Sequence, residues 1–155
     1  DTANYERLLA RNEATLRDCA GVGVAQIARA YAGLKTAAER GDVLAQVWYA
    51  TVGAAYHAST PDAADGFRRD ALRFLETAAS RGSVQALRAL ARAYDSGTLA
   101  AADAQKSYVY TYALYLLEPG PDAARHVDDA AGALSPEQVG AAQREAGRLL
   151  ARCCR

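Results

Sequence analysis

Few side chains in this sequence stand where they could do chemistry. Three cysteines, Cys19, Cys153 and Cys154, are the candidates for a disulfide or a metal site. A zinc site gathers three or four ligands, commonly through a C-x-x-C step. No such step occurs, and His57 and His126 lie far from all three cysteines along the chain. No metal is therefore expected. The three read best as one disulfide tying the first helix to the last, with one thiol left over. Such a bridge contributes ~2–4 kcal/mol by restricting the unfolded chain. It requires the last helix to fold back, since bridged Cα atoms lie within ~4.4–6.8 Å. An intermolecular bridge and three free thiols are the alternatives.

Catalytic groupings are equally scarce. Neither histidine has a serine or cysteine beside it in sequence to form a nucleophile–base pair. Glu137 and Gln138 follow Ser135-Pro136, which is the start of a helix and not an acid–base site. Gly21-Val22-Gly23 is too short for a phosphate loop, lacking a further glycine and a preceding strand. An enzyme is not expected, and no cofactor is implied. What remains is recognition chemistry: arginines on helix faces, a tyrosine-rich segment from Tyr108 to Tyr115, and Trp48, the lone tryptophan.

The elements that would position these groups are helical. Leu8, Leu9, Leu16 and Cys19 mark a first helix ending at Gly21-Val22-Gly23. Ile27, Ala30, Tyr31, Leu34, Ala37 and Ala38 recur at three- and four-residue steps, and Gly41 stops that helix. Asp42 is placed to cap the next, through Ala45, Trp48, Tyr49 and Val52 to about Ala58. Thr60 or Asp62 can cap a fourth, running through Phe67, Phe74 and Ala79 to Gly82. Ser83 caps a fifth, closed by Gly97, and Asp103 starts a sixth, ended by Pro119-Gly120-Pro121. A short seventh covers about Asp122 to Ala133. Ser135, Pro136 and Gln138 open the eighth as cap, first helical residue and capping-box partner. No useful stretch alternates with period two, so no sheet is expected.

The chain also repeats itself. Leu34-Lys-Thr-Ala-Ala-Glu-Arg-Gly-Asp-Val-Leu-Ala45 lies over Leu75-Glu-Thr-Ala-Ala-Ser-Arg-Gly-Ser-Val-Gln-Ala86, an offset of 41 residues. Leu, Thr, Ala, Ala, Arg, Gly, Val and Ala recur in register. Each copy is a helix ending in Ala-Ala-x-x-Gly and followed at once by another helix. Paired alanines let two helices approach near the lower end of the ~8–10 Å range of axial separations. One such hairpin cannot bury its apolar face alone, so neighbours must stack.

These residues resemble the Sel-one-like repeat family, a relative of the tetratricopeptide repeat. The family pattern is similar to Ala86, Leu90, Ala91, Tyr94 and Gly97, then a loop, then Asp103-Ala-Gln-Lys106-Ser-Tyr-Val-Tyr110 with Ala113 beyond. The earlier copy keeps Ala45, Tyr49 and Ala50 but has Gly53 in the place of Tyr94, and its loop lacks the glycine-rich pattern. Leu134 to Gln143 resembles a closing helix of bacterial members. The resemblance covers about Ala28 to Leu150 and leaves the first helix outside it.

The resemblance implies an all-α solenoid of stacked antiparallel hairpins, seven to eight helices in a tetratricopeptide-like superhelix. With the first helix read from its own periodicity, a single domain is expected, with 1–23 as an N-terminal helix, 24–120 as degenerate repeats and 121–155 as capping helices. The resemblance carries no catalytic motif and implies a module that binds a partner protein. The first helix of each hairpin would then line the concave face, presenting Gln85, Arg88, Arg92 and Asp95 in the better copy. In the poorer copy the same positions hold Leu44, Val47 and Thr51. Arg88 and Arg92, one turn apart, could offer two guanidinium forks to an acidic partner, or form a solvated face. Tyr108 and Tyr110 are implied to pack between helices, while Tyr112 and Tyr115 are open to either packing or a binding edge. Trp48 is expected to anchor the core, with an exposed anchor as the alternative; His126 is expected at the surface.

Composition narrows the setting. Eighteen basic and eighteen acidic residues leave no net charge, so no nucleic acid or anionic membrane is expected as partner. The longest uncharged stretch, 43–61, is broken by Gln46, Thr51, Gly53, His57 and Pro61, unlike the ~20 apolar residues of a membrane span. Sixteen arginines against two lysines, with alanine at roughly a quarter of positions, suggest a GC-rich bacterial genome. No methionine occurs, and the polar opening Asp1-Thr2-Ala3-Asn4 predicts a mature periplasmic or secreted chain; a trimmed cytoplasmic domain is the alternative. The function expected is non-enzymatic protein binding, with an exported inhibitor or immunity protein as its specific version; an assembly factor of an envelope complex is the second reading.

Overall fold

The computed structural model describes residues 20–57 and 61–153. The expected helix before Gly21, the capping position Thr60, and Cys19 and Cys154 lie outside them. The chain divides into two compact units, 1–33 and 34–155. Among the described residues there are seven α-helices and no strand: α1 Val24–Glu39, α2 Val43–His57, α3 Pro61–Ala79, α4 Val84–Ser96, α5 Ala104–Leu117, α6 Pro121–Ala131 and α7 Pro136–Cys153. The chain is therefore all-α.

In the first unit, Gly21 takes a left-handed φ of 100° and turns the chain before α1. The Gly23 amide donates to Gln26 Oε1 at 2.7 Å, occupying one donor that a helix start leaves without an intrahelical partner.

The second unit is built from antiparallel hairpins. Helix α2 packs on α3, α3 on α4 and α4 on α5, after which α5 receives both α6 and α7. Its core holds Tyr49, Phe67, Phe74, Leu75, Leu87, Leu90, Tyr94 and Tyr108. Between these lie buried alanines at 71, 78, 79, 86, 113, 142 and 146, which allow close helix approach. Tyr49 sits between Phe67 (centroids 5.6 Å apart) and Phe74 (5.2 Å, edge to face) and locks α2 onto α3.

The repeated sequence produces a repeated turn. Gly41 and Gly82 both adopt left-handed φ, 90° and 83°, a region where a Cβ is costly. Gly41 N donates to Ala38 O (3.0 Å) and Asp42 N to Ala37 O (3.2 Å). Gly82 N donates to Ala79 O (2.9 Å) and Ser83 N to Ala78 O (3.1 Å). The next helix is then capped at once: Ala45 N donates to Asp42 Oδ1 at 2.8 Å, and Ala86 N to Ser83 Oγ at 3.2 Å. One contact joins the two turns directly, for Arg81 Nη1 donates to Gly41 O at 2.6 Å.

The remaining ends follow the sequence signals. Asp103 caps α5 through Lys106 N at 3.0 Å, and Asp103 N returns to Tyr94 O at 2.9 Å, closing the α4–α5 loop. Ser135 and Gln138 form the reciprocal capping box of α7, at 3.3 and 2.8 Å. Helix α3 begins at Pro61, which places Asp62 in its first turn. Helix α6 begins on Pro121 after Gly120 and ends at Ala131, two residues before the expected end.

Candidate functional site

Helix α4 carries Gln85, Arg88, Arg92 and Asp95, the residues expected to meet a partner, and it is capped by Ser83 and Gly97. Leu87, Leu90, Ala91 and Tyr94 point into the core, while Gln85, Arg88, Arg92 and Asp95 are exposed. The expected face of the better copy is thus the outward face of α4. It borders two grooves.

The first groove, about 450 Å³, runs between α2 and α4. Its walls include Val47, Trp48, Thr51 and Leu75 on one side and Gln85, Arg88, Arg92 and Leu99 on the other. The second, about 460 Å³, opens on the other side of α4, where Arg88, Arg92 and Asp95 face Thr111, Leu114, His126 and Asp129. Arg88 and Arg92 form the ridge between them. Arg88 Nη2 meets Glu118 Oε2 at 3.3 Å in a pair exposed on both sides, which contributes little to stability. His126 is exposed, as expected.

The poorer copy presents a different face from the one expected. Val47 is buried, at 6% exposure, although Leu44 and Thr51 are exposed as expected. Trp48 is 51% exposed and does not anchor the core. The reason is rotational: Tyr49, Ala50, Ala45 and Gln46 all turn inward, leaving position 48 on the opposite side of the helix. Leu44, Trp48 and Val52, at four-residue steps, form an exposed apolar stripe (58, 51 and 46%).

The tyrosine segment packs more than it projects. Tyr108 is 1% exposed, and its hydroxyl accepts from Gln143 Nε2 of α7 at 3.1 Å. Tyr110 stacks on Tyr94 with ring centroids 5.9 Å apart, and Lys106 Nζ lies 4.9 Å from the Tyr94 ring. Burial pushes both phenols above their ordinary value, so neither is an acid or base near neutrality. Tyr112 and Tyr115 are half-buried and continue a ladder from Tyr108, with centroid steps of 5.9 and 6.0 Å. Neither lines the two grooves.

Among the described residues no three His, Cys, Asp or Glu side chains gather as metal ligands, and no helix is long and apolar enough to cross a membrane. Cys153 is half-buried at the end of α7. The arrangement comprises two grooves, two guanidinium groups on the ridge between them and one half-exposed indole. Sequence reasoning held Trp48 as an exposed anchor only in second place, although the four-residue spacing of Leu44, Trp48 and Val52 was available as a signal, and it did not name Leu99, Leu114 or Asp129. No family model, curated protein or solved structure matches the chain.

Proposed function

We propose that this chain is a non-enzymatic, Sel-one-like protein-binding module whose contact surface is the pair of grooves flanking α4. The supporting observation is Trp48: a large aromatic residue held half in solvent beside two arginines, on a rigid helix, is the composition of a binding hot spot. Two matched turns and their alanine-packed hairpins support membership of the repeat family, since each copy uses the same glycine and the same capping position. Gln85, Arg88, Arg92 and Asp95 belong to the surface, with Trp48 and Thr51 opposite; Tyr112 and Tyr115 form a separate edge. In the same reading the chain acts outside the bacterial cytoplasm, and a disulfide through Cys153 helps hold its end.

The test is affinity capture on immobilised protein, comparing the parent chain with Trp48→Ala, with Arg88→Glu/Arg92→Glu, and with Arg148→Glu on exposed α7 as control. A partner retained by the parent and control and lost by the first two variants fits the reading. A partner retained by all four moves the surface elsewhere. Mass measured with and without reductant tests the disulfide, which predicts a gain of two hydrogen atoms on reduction in an unchanged monomer.

A further inference from the structure

We infer that the first groove takes an acidic, apolar-anchored segment of the partner protein, with carboxylates on one side and an aliphatic or aromatic side chain on the other. The inference rests on the binding-module reading above and adds the chemistry of what is bound. The two walls of the groove are chemically segregated. On the α2 side stand Val47, Trp48, Ala50 and Thr51, with the half-exposed Trp48 indole as the large apolar group. On the α4 side stand Gln85, Arg88 and Arg92, and among the described residues these two arginines are the charged side chains lining the groove. The second groove differs, because Asp95 and Asp129 there offset the same two arginines. Among the described residues the first groove therefore carries a net positive charge, while in the second the charges offset.

Glu118 shows how a carboxylate meets this wall. Its Oε2 reaches Arg88 Nη2 at 3.3 Å with both side chains more than half exposed (51% and 60%). A contact so exposed is weak and exchangeable, so a partner carboxylate can replace it. One turn of helix separates Arg88 from Arg92, which sets the spacing of the two forks. An apolar side chain of the partner lying against Trp48 would gain from burial while its neighbouring carboxylates meet the opposite wall.

A selection of short random peptides displayed on phage against the full chain tests this without choosing a ligand beforehand. The expected result is enrichment of Asp and Glu flanking Leu, Ile or Phe. The best synthesised peptide should then bind by calorimetry, weaken as salt is raised, and lose at least about tenfold in affinity with Arg88→Glu/Arg92→Glu and with Trp48→Ala. Arg88→Lys/Arg92→Lys keeps the charge and should retain most of the binding; it carries the comparison if circular dichroism shows the charge-reversed chain unfolded. Enrichment without acidic excess, no enrichment at all, or equal affinity for the charge-reversed variant overturns the inference. So does a self-associating chain whose dimer dissociates on charge reversal, since the groove would then hold a second copy. If capture of a whole partner depends on Trp48 while the selected peptides lack acidic residues, the binding module stands and only the chemistry proposed here fails.

Discussion

Ala45 to Gly53 and Ala86 to Tyr94 are the same stretch of helix in two successive copies, yet they are filled differently. In α4 the position after the conserved alanine holds Leu87, fully buried at 0% exposure. In α2 it holds Gln46, buried at 3%, whose Nε2 donates to Ala38 O at 3.1 Å while its Oε1 has no hydrogen-bond partner. Where α4 places Tyr94 against Tyr110, α2 has Gly53. Where α4 has half-buried Ala89, α2 exposes Trp48. The second copy is packed for the core. The first keeps the turn and the capping but gives up apolar contact inside and shows apolar surface outside. Evenly repeated turns can thus support unequal hairpins, because the turn is fixed by glycine and capping chemistry and the face by everything else.

The comparison makes exchange experiments informative. Leu87→Gln imports the residue of the first copy into the second. It should cost about 3–5 kcal/mol in urea unfolding, combining lost burial with an amide lacking assured partners. The reverse exchange, Gln46→Leu, should stabilise by about 1 kcal/mol: it removes the unpartnered oxygen, and Ala38 O keeps its bond from Gly41 N. Loss of stability in Gln46→Leu would mean that the amide is needed in the core and would dissolve the contrast.

The turns themselves share one penalty, that of a left-handed glycine. Gly41→Ala and Gly82→Ala each force a left-handed residue and should cost about 1–2 kcal/mol. At Gly41 the added Cβ also meets Arg81 Nη1 at 3.3 Å, the group that holds Gly41 O. In an Arg81→Ala background the Gly41→Ala penalty should shrink, and a double-mutant cycle measures the coupling. Strict additivity would deny any link between the turns.

The smallest effect concerns charge. Lys35 Nζ lies 2.9 Å from Asp70 Oδ2 in the first copy, where the second has Glu76 and Thr111 at the matching positions. The hydrogen bond from Lys35 holds the Asp70 carboxyl below its ordinary 3.8, and the bond to Asp70 holds the Lys35 ammonium above its ordinary 10.5. A lowered acid stabilises the fold above the ordinary value and loses that contribution as pH falls through its native value. A raised base stabilises below its ordinary value and loses it as pH climbs through the native one. Asp70→Asn should therefore cost under about 1 kcal/mol at neutral pH, since Lys35 is substantially exposed. The two chains should converge in stability well below pH 3.8. A difference that persists in strong acid would assign the effect to packing.

Much of this fold was legible in the sequence where local chemistry decides it. Gly41, Gly82 and Gly97 end helices and Asp42, Ser83, Asp103 and Ser135 cap them, as their types and spacing require, and Tyr108 is buried, as the repeat resemblance implied. Arg88 and Arg92 were legible as exposed because α4 has a clean apolar stripe that leaves them on its other side. Helix α2 defeated the same reasoning. Val43-Leu-Ala-Gln-Val-Trp-Tyr-Ala is apolar on nearly every face, so periodicity could not choose which side enters the core. Tertiary packing chose Tyr49, which fits between Phe67 and Phe74, and Trp48 was turned outward as a result. No signal in the sequence marked Gln46 as buried, because polarity alone argues for the surface.

The position of Trp48 has a spectroscopic consequence. A chain with a single tryptophan has one indole emitter, and here it already stands half in water when the protein is folded. Its emission should shift little as the core melts, so the tyrosines and the helical dichroism carry the unfolding signal. A side chain laid over the indole from outside should instead shift its emission to the blue, giving an optical readout of groove occupancy that is nearly silent to folding.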